Sequence, residues 1–217
     1  MSDSVLLIGA GGHASVLLEM LIQQKVHIIG YVSPCSAANK KLFSDLHWFK
    51  NDDDIYQFDK LTIKLVNGIG SLPGNTRRSD LYRQQKKLGY SFATLVSQES
   101  TVSAYAFLEE GVQVMRGAII QTGARVGYNS IVNTGSIIDH DCSIGNNNHI
   151  APGATISGQV TSKENVHFGT GSSVIQSINI NKNVVIGAGA AVTKDVEKNI
   201  IFYPARGFTK VINWHEL

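Results

Sequence analysis

Val132-Asn133-Thr134-Gly135-Ser136-Ile137-Ile138-Asp139-His140-Asp141-Cys142-Ser143-Ile144 places a β-branched residue at every sixth position. Stepping by six in both directions extends the pattern from Val96 to Val192. It runs through Val102, Leu108, Val114, Ile120 and Val126, then Ile150, Ile156, Ser162, Phe168, Val174, Ile180 and Ile186. Of these 17 positions only Ser162 is polar. Three residues after each, Gly, Asn or Asp fills 13 of 17 places. Four residues after each comes a small or apolar residue, with Asn148 the exception. Residues four apart on a strand share a face, so a long aliphatic and a small side chain meet in one interior. A residue tolerant of left-handed geometry between them turns a corner. Three flat segments then close a triangle of about 18 residues, and stacked triangles build a parallel β-solenoid of five to six coils, roughly 27 Å long.

Composition divides the chain of 217 residues at the start of this repeat. Leucine occurs 15 times, yet from Val96 to Val196 only at Leu108, while 25 Val and Ile and 12 of the 21 glycines crowd into that span. The change from Leu to β-branched residues is a change from helix to strand chemistry. The expected organisation is an α/β region over 1–92, an all-β region over 93–196 and a tail over 197–217. A net charge of +2 argues against a nucleic-acid partner. Two cysteines, Cys35 and Cys142, form no disulfide framework. No apolar run approaches the roughly 18 residues of a membrane span, and Met1-Ser2-Asp3-Ser4 lacks a basic leader, so a cytoplasmic location without membrane insertion is expected.

The first region opens Val5-Leu6-Leu7-Ile8-Gly9-Ala10-Gly11-Gly12-His13-Ala14-Ser15 and continues with apolar Val16, Leu17, Met20 and Leu21. This reads as a buried strand, a glycine turn and an amphipathic helix. Gly9, Gly11 and Ala14 fit G-x-G-x-x-A, whose backbone N–H groups favour a phosphate. A dinucleotide site needs an acid closing the second strand. That strand, expected over 27–32, ends Tyr31-Val32-Ser33-Pro34. The turn therefore reads as a nucleoside-diphosphate cradle or a structural turn ahead of an NAD(P) site. A further strand is expected at 65–70, and a polar helix over 77–88 with Leu81 and Leu88 on its buried stripe. Residues 35–60 show no pattern, and Asp52-Asp53-Asp54 reads as a solvated loop.

The stretch from Asn133 to Cys142 and its continuation Ser143-Ile144-Gly145-Asn146-Asn147-Asn148-His149-Ile150-Ala151-Pro152-Gly153 resemble one subfamily of the hexapeptide-repeat acyltransferases. These are the sialic acid O-acetyltransferases and the nucleotide-sugar 4-amino N-acetyltransferases of the bacillosamine type. Gly11-Gly12-His13 and the coil from Gly187 to Val196 are similar to theirs, so the resemblance covers residues 5–206. It implies a Rossmann-like half domain followed by a left-handed parallel β-helix. It also implies acetyl-CoA as co-substrate, no metal, a homotrimer with sites between subunits, and a nucleotide-sugar partner, expected to be a UDP-4-amino-4,6-dideoxy sugar used in surface glycan synthesis.

By that resemblance His140 is the general base, an imidazole suited to taking a proton at neutral pH, and Asp141 fixes its tautomer. Gly11, Gly12, His13, Ser33, Gly70 and Asn133 fall at substrate positions, and His149, Gly158, Thr170 and Ala188 at cofactor positions. His167 lies one coil beyond His149 and reads as a surface ladder residue. Cys142 occupies a small inward slot and reads as core, which leaves direct transfer rather than an acyl-enzyme. Departures concern the acceptor: Ser33-Pro34 replaces the relatives' paired acids, Val96-Ser97-Gln98 their His-Pro, and Phe202-Tyr203-Pro204-Ala205 their Gly-x-Pro-Ala. The 207–217 tail, with Trp214, has no assigned role. O-acetylation of a sialic-acid-like sugar and a sugar-nucleotide-binding scaffold without turnover are the alternative readings. A zinc site built on His140, His149 and His167 has the wrong spacing.

Overall fold

The computed structural model describes residues 4–205. From Leu95 onward each sixth-position residue and the one before it form a strand of two residues, because a corner follows within three. The corners are left-handed: φ is +64 to +74° at Gly111, Gly123, Gly135 and Gly171, and +55 to +57° at Asn129, Asp141 and Asn147. Gln159 and Ser177, which broke the Gly/Asn/Asp rule, adopt the same geometry at φ 62° and 61°. Glu99 and Tyr105, the other two that break it, do not, so the left-handed corner begins at Gly111.

The strands sort into three parallel sheets of seven, six and five members. Every third strand pairs, so Ile131 lies beside His149 and His149 beside His167. The first face holds Leu95–Val96 and its partners, the second Thr101–Val102 and its partners, the third Phe107–Leu108 and its partners. Val114, Val132, Ile150, Phe168 and Ile186 point inward with no exposed surface, and so do Ala118, Ala124 and Ala154 at the small positions. This is the expected β-helix.

The two exceptions to the repeat meet. Asn148 Nδ2 donates to Ser162 Oγ at 2.7 Å inside the prism, and Asn148 Oδ1 accepts the Val166 N–H at 2.7 Å. Ser130 Oγ accepts the Asn148 N–H at 3.0 Å and donates to the Gly145 carbonyl at 3.1 Å. A polar residue at one inward place is tolerated because another, one strand away, satisfies it.

The sheet continues past Val196. Val196 bridges Ile180, and Ile201–Phe202 pairs with Val185–Ile186, at a spacing of 16 residues instead of 18. Part of the expected tail is thus a shortened last turn of the first face. Trp214 and the rest of 206–217 lie outside the described residues.

The N-terminal region comprises β1 (Ser4–Ile8), α1 (Gly12–Gln23), β2 (Ile28–Val32), β3 (Trp48–Phe49), β4 (Ile63–Asn67) and α2 (Arg77–Lys87). Its parallel sheet has the order β3-β2-β1-β4. Ala14, Leu17, Leu18 and Leu21 of α1 are fully buried, as the apolar periodicity required. On α2 the buried positions are Arg78, Leu81, Tyr82 and Gln85, whereas Leu88, expected inside, closes the helix in solvent. The region lies on the outer side of the first face, where α1 packs against Leu95, Met115 and Ile131.

Arg78 clamps the two regions. It is 4% exposed, and its nitrogens donate to the carbonyl oxygens of Asn67, Ile69 and Asn129 and to Gln113 Oε1, at 2.7 to 3.2 Å. Burial pulls its pKa down to about 9. Gln113 Nε2 in turn donates to the Asn67 carbonyl at 2.9 Å.

Replacing Ser162 by Val strands the Asn148 amide and lowers stability by about 1–3 kcal/mol in urea unfolding. Asn148→Ala costs more, because the Val166 N–H and the Ser162 hydroxyl both lose their partner. Equal costs for the two variants would show that Asn148 gains nothing from Val166.

Candidate functional site

His140 follows the Ile137–Ile138 strand at the edge joining the second and third faces. Asp139 Oδ1 accepts its backbone N–H at 2.7 Å, and Asp141 Oδ2 lies 2.9 Å from its Nδ1. The left-handed corner at Asp141 brings that carboxylate back onto its neighbour's ring. Both side chains are about half exposed. The Asp141 hydrogen bond, opposed by desolvation and aided by the charges of Asp139 and Asp141, holds the His140 pKa above the ordinary histidine value. With Nδ1–H given to Asp141, Nε2 keeps its lone pair and faces outward.

Two glycines make room for this pair. A Cβ on Gly158, one coil further on, would stand 2.5 Å from His140 Nε2, and one on Gly123, one coil back, would collide with Asp141 Oδ1. The Gly158 N–H, close to the imidazole, has no acceptor among the described residues. Cys142 points into the core at 1% exposure, donating to the Ser157 carbonyl at 3.1 Å, and burial pushes its pKa up to about 11. It is a packed thiol and no nucleophile.

Asn133, His149, Thr170 and Ala188 gather elsewhere, on the first face and its edge with the second. Thr170 and Ala188 are exposed at that edge. His149 is 9% exposed, with Nδ1 3.1 Å from the Ser71 carbonyl and Nε2 3.1 Å from Asn133 Nδ2. Its ring meets His167 edge-on at 4.8 Å, so His167 belongs to a half-buried pair instead of a free surface ladder. Burial lowers the pKa of both, that of His149 to about 3 with His167's influence added.

At the glycine turn Gly11 precedes α1 without a side-chain cap, and Gly11 and Gly12 are exposed. His13 turns inward and donates from Nε2 to Gln113 Oε1 at 2.8 Å; burial, then the charge of Arg78, lowers its pKa to about 4. Gly70 lies against the His13 side chain. Ser33 is 8% exposed, and its carbonyl accepts the Trp48 indole N–H at 2.8 Å.

A cleft of about 370 Å³ opens at the carboxyl ends of β1 and β2, where an open α/β sheet binds ligands. Gly9, Pro34, Ile69, Arg77 and Asp52 help to line it, but Gly11, Gly12, His13, Ser33 and Gly70 do not. Asp52 is the residue that sequence reasoning missed. Its short 3₁₀ turn is fixed by a capping box between Asn51 and Asp54, and the β2–β3 pairing folds this segment back over the end of β2. Asn51 followed three residues later by Asp54 was the available signal. An acid therefore reaches the second strand's end from 52 instead of from 33.

The first face carries the N-terminal region, and the edge bearing His140 is the one that does not border this face. Within one chain the sequence-predicted residues fall at two different edges of the prism, one at either margin of the second face. His140, Asp141 and Gly158 form one half; Asn133, His149, Thr170, Ala188 and the glycine turn form the other. Among the described residues no group of three His, Cys, Asp or Glu could hold a metal ion, and no helix is long and apolar enough to cross a membrane.

Residues 4–84 match the family model described as the PglD N-terminal domain. Among solved structures, the chain is similar to PerB from Caulobacter crescentus in complex with CoA and GDP-perosamine. Identity is 28%, 92% of this chain and 93% of that one are covered, and the TM-score is 0.81. It is also similar to the acetyltransferase domain of PglB from Neisseria gonorrhoeae in complex with acetyl coenzyme A, at 25% identity, 96% and 100% coverage and a TM-score of 0.84. WeeI from Acinetobacter baumannii, at 20% identity, shares the fold with a TM-score of 0.79. No curated protein matches. The chain thus carries a PglD-type N-terminal domain followed by a left-handed β-helix, and it is similar to these acetyltransferases along nearly its whole length.

Proposed function

We propose that this chain transfers acetyl from acetyl-CoA to the amino group of a nucleoside-diphosphate-linked 4-amino sugar. The observation that carries the reading is the His140–Asp141 pair, with an Nε2 lone pair beside the Gly158 N–H, which has no acceptor among the described residues. The acceptor is expected to carry uridine; PerB was solved with a guanosine sugar, so both bases belong in the test.

The amine nitrogen attacks the thioester carbonyl carbon, forming the C–N bond, while His140 Nε2 takes the proton the nitrogen loses. The carbonyl oxygen becomes an oxyanion, to which the Gly158 N–H donates. Collapse breaks the C–S bond, and the sulfur leaves with its electron pair. A CoA thiol has a pKa near 8.5, so it leaves without a strong acid, and the proton held by His140 neutralises it. Asp141 keeps the ring in the right tautomer and favours its charged form during the step.

The two halves of the site stand at different edges of one prism, which favours a homotrimer in which His140 of one copy faces the Asn133 edge of the next. The sugar nucleotide enters at the N-terminal cleft, where Gly9 admits close backbone approach and Asp52 offers hydrogen-bond acceptors to a ribose.

Thiol release from acetyl-CoA over a panel of UDP-, GDP- and CMP-linked sugars tests the reading; no release with any acceptor would sink it. His140→Ala should lower kcat about 10²–10⁴-fold. Gly158→Ala should fold normally by thermal denaturation yet lose most turnover, because its methyl displaces the imidazole. The base must be neutral to act, so kcat/KM falls as pH drops through the raised His140 pKa. Asp141→Asn removes the main cause of that elevation, so the acid limb should move to lower pH while the plateau falls. An unmoved limb would assign it to another group. Asp52→Ala should raise the KM for the sugar nucleotide about tenfold and leave that for acetyl-CoA unchanged.

A further inference from the structure

His149 sits where the resemblance implies contact with acetyl-CoA, yet its hydrogen bonds leave it nothing to donate. The Ser71 carbonyl only accepts, so Nδ1 carries the hydrogen. Burial holds the ring neutral, with a pKa of about 3. A neutral imidazole protonated at Nδ1 has a lone pair at Nε2, and this accepts from Asn133 Nδ2. The other end of the Asn133 carboxamide, Oδ1, accepts the Thr134 N–H at 2.8 Å. Both bonds fix which way the amide faces. One Nδ2–H is left without an acceptor among the described residues, on a half-buried side chain.

The ground beyond Asn133 is built of small residues. At the same corner position of the next three coils stand Ala151, Gly169 and Gly187, flanked by exposed Thr170 and Ala188. Three coils make a strip roughly 14 Å long without projecting side chains, suited to a linear acyl-bearing arm. Asn133 is the first polar side chain at its end.

We propose that the remaining Asn133 N–H donates to the acetyl thioester oxygen, and that His149, locked by the Ser71 carbonyl of the N-terminal region, is the positioning residue that holds it there. The inference rests on the acetyltransferase reading. It gives His149 a different part from the one the resemblance implies, because the imidazole orients a donor and donates nothing to substrate itself. It also ties the acyl site to the loop that follows Gly70, so the sugar-binding region helps to assemble the acyl-binding one. Donation from Asn133 strengthens as the carbonyl oxygen gains charge, so its loss should appear in kcat.

Nitrogen NMR of histidine-labelled enzyme should show His149 as the Nδ1–H tautomer from about pH 5 to 9, with and without CoA. An Nε2–H tautomer, or titration within that range, overturns the proposal. Asn133→Ala and His149→Leu should each lower kcat roughly 10²-fold, with both KM values within about threefold of wild type. The double variant should lose no more than the worse single one, because the two side chains act through one bond. His149→Gln can donate to Ser71 and accept from Asn133, and should recover most of kcat. Multiplying losses, no rescue by Gln, or an Asn133→Ala effect confined to the sugar KM would each overturn it. Failure of the underlying reading looks different: wild-type enzyme releases no thiol with any acceptor, which removes the role of Asn133 and leaves the tautomer of His149 as found.

Discussion

Each coil of the prism is held by backbone hydrogen bonds to the residues 18 positions away, and from Gly111 to Gly189 a left-handed corner after each strand keeps that register. Pairs such as Ile131–His149 and Ile137–Thr155 repeat this register on successive faces. Side-chain columns follow from it. The inward column builds the core, and the outward columns place chemistry: Gly158 against His140, His167 against His149, Asn147 against Asn129. No long-range search is needed to assemble either half of the site once the register is set.

The N-terminal region depends on that register in turn. A buried guanidinium without a carboxylate partner is costly unless its N–H groups are satisfied. Arg78 meets the requirement with three backbone carbonyls and Gln113, drawn from β4, the loop after it and two coils of the solenoid. Its planar fork reaches all of them, which a lysine could not do. His13 and His149 add two more polar ties across the same seam, both neutral because burial lowers their pKa. The seam is a polar network that is specific in direction.

The solenoid was legible because its period is local and over-determined. Every strand from Leu95–Val96 to Ala191–Val192 ends at a position found by counting in sixes. His140 and Asp141 were legible for the same reason, since a residue's place in the hexad fixes its edge and outward direction. The fate of His13, His149 and Ser33 was not legible, because their partners Gln113, Ser71 and Trp48 come from other parts of the chain. Asp52 was hidden by a segment without periodicity, and Leu88 by a helix that stops one residue too soon. Asn148 and Ser162 each looked like a defect when read alone, and only their contact across the core explains both.

The 18-residue register also constrains how such a chain can change length. Inserting or deleting one residue within a strand would move every later inward aliphatic to the outer surface and every later corner into a strand. A change of six would keep the pattern but rotate all later columns onto the next face, separating Gly158 from His140. Only whole coils can be gained or lost between these residues and the end of the prism without disturbing the chemistry. The two-residue shortening after Val192 is tolerated because no coil described beyond it has to keep step. Variation in length among chains of this build should therefore come in single residues at the loops and at the ends, and in quanta of one full turn elsewhere.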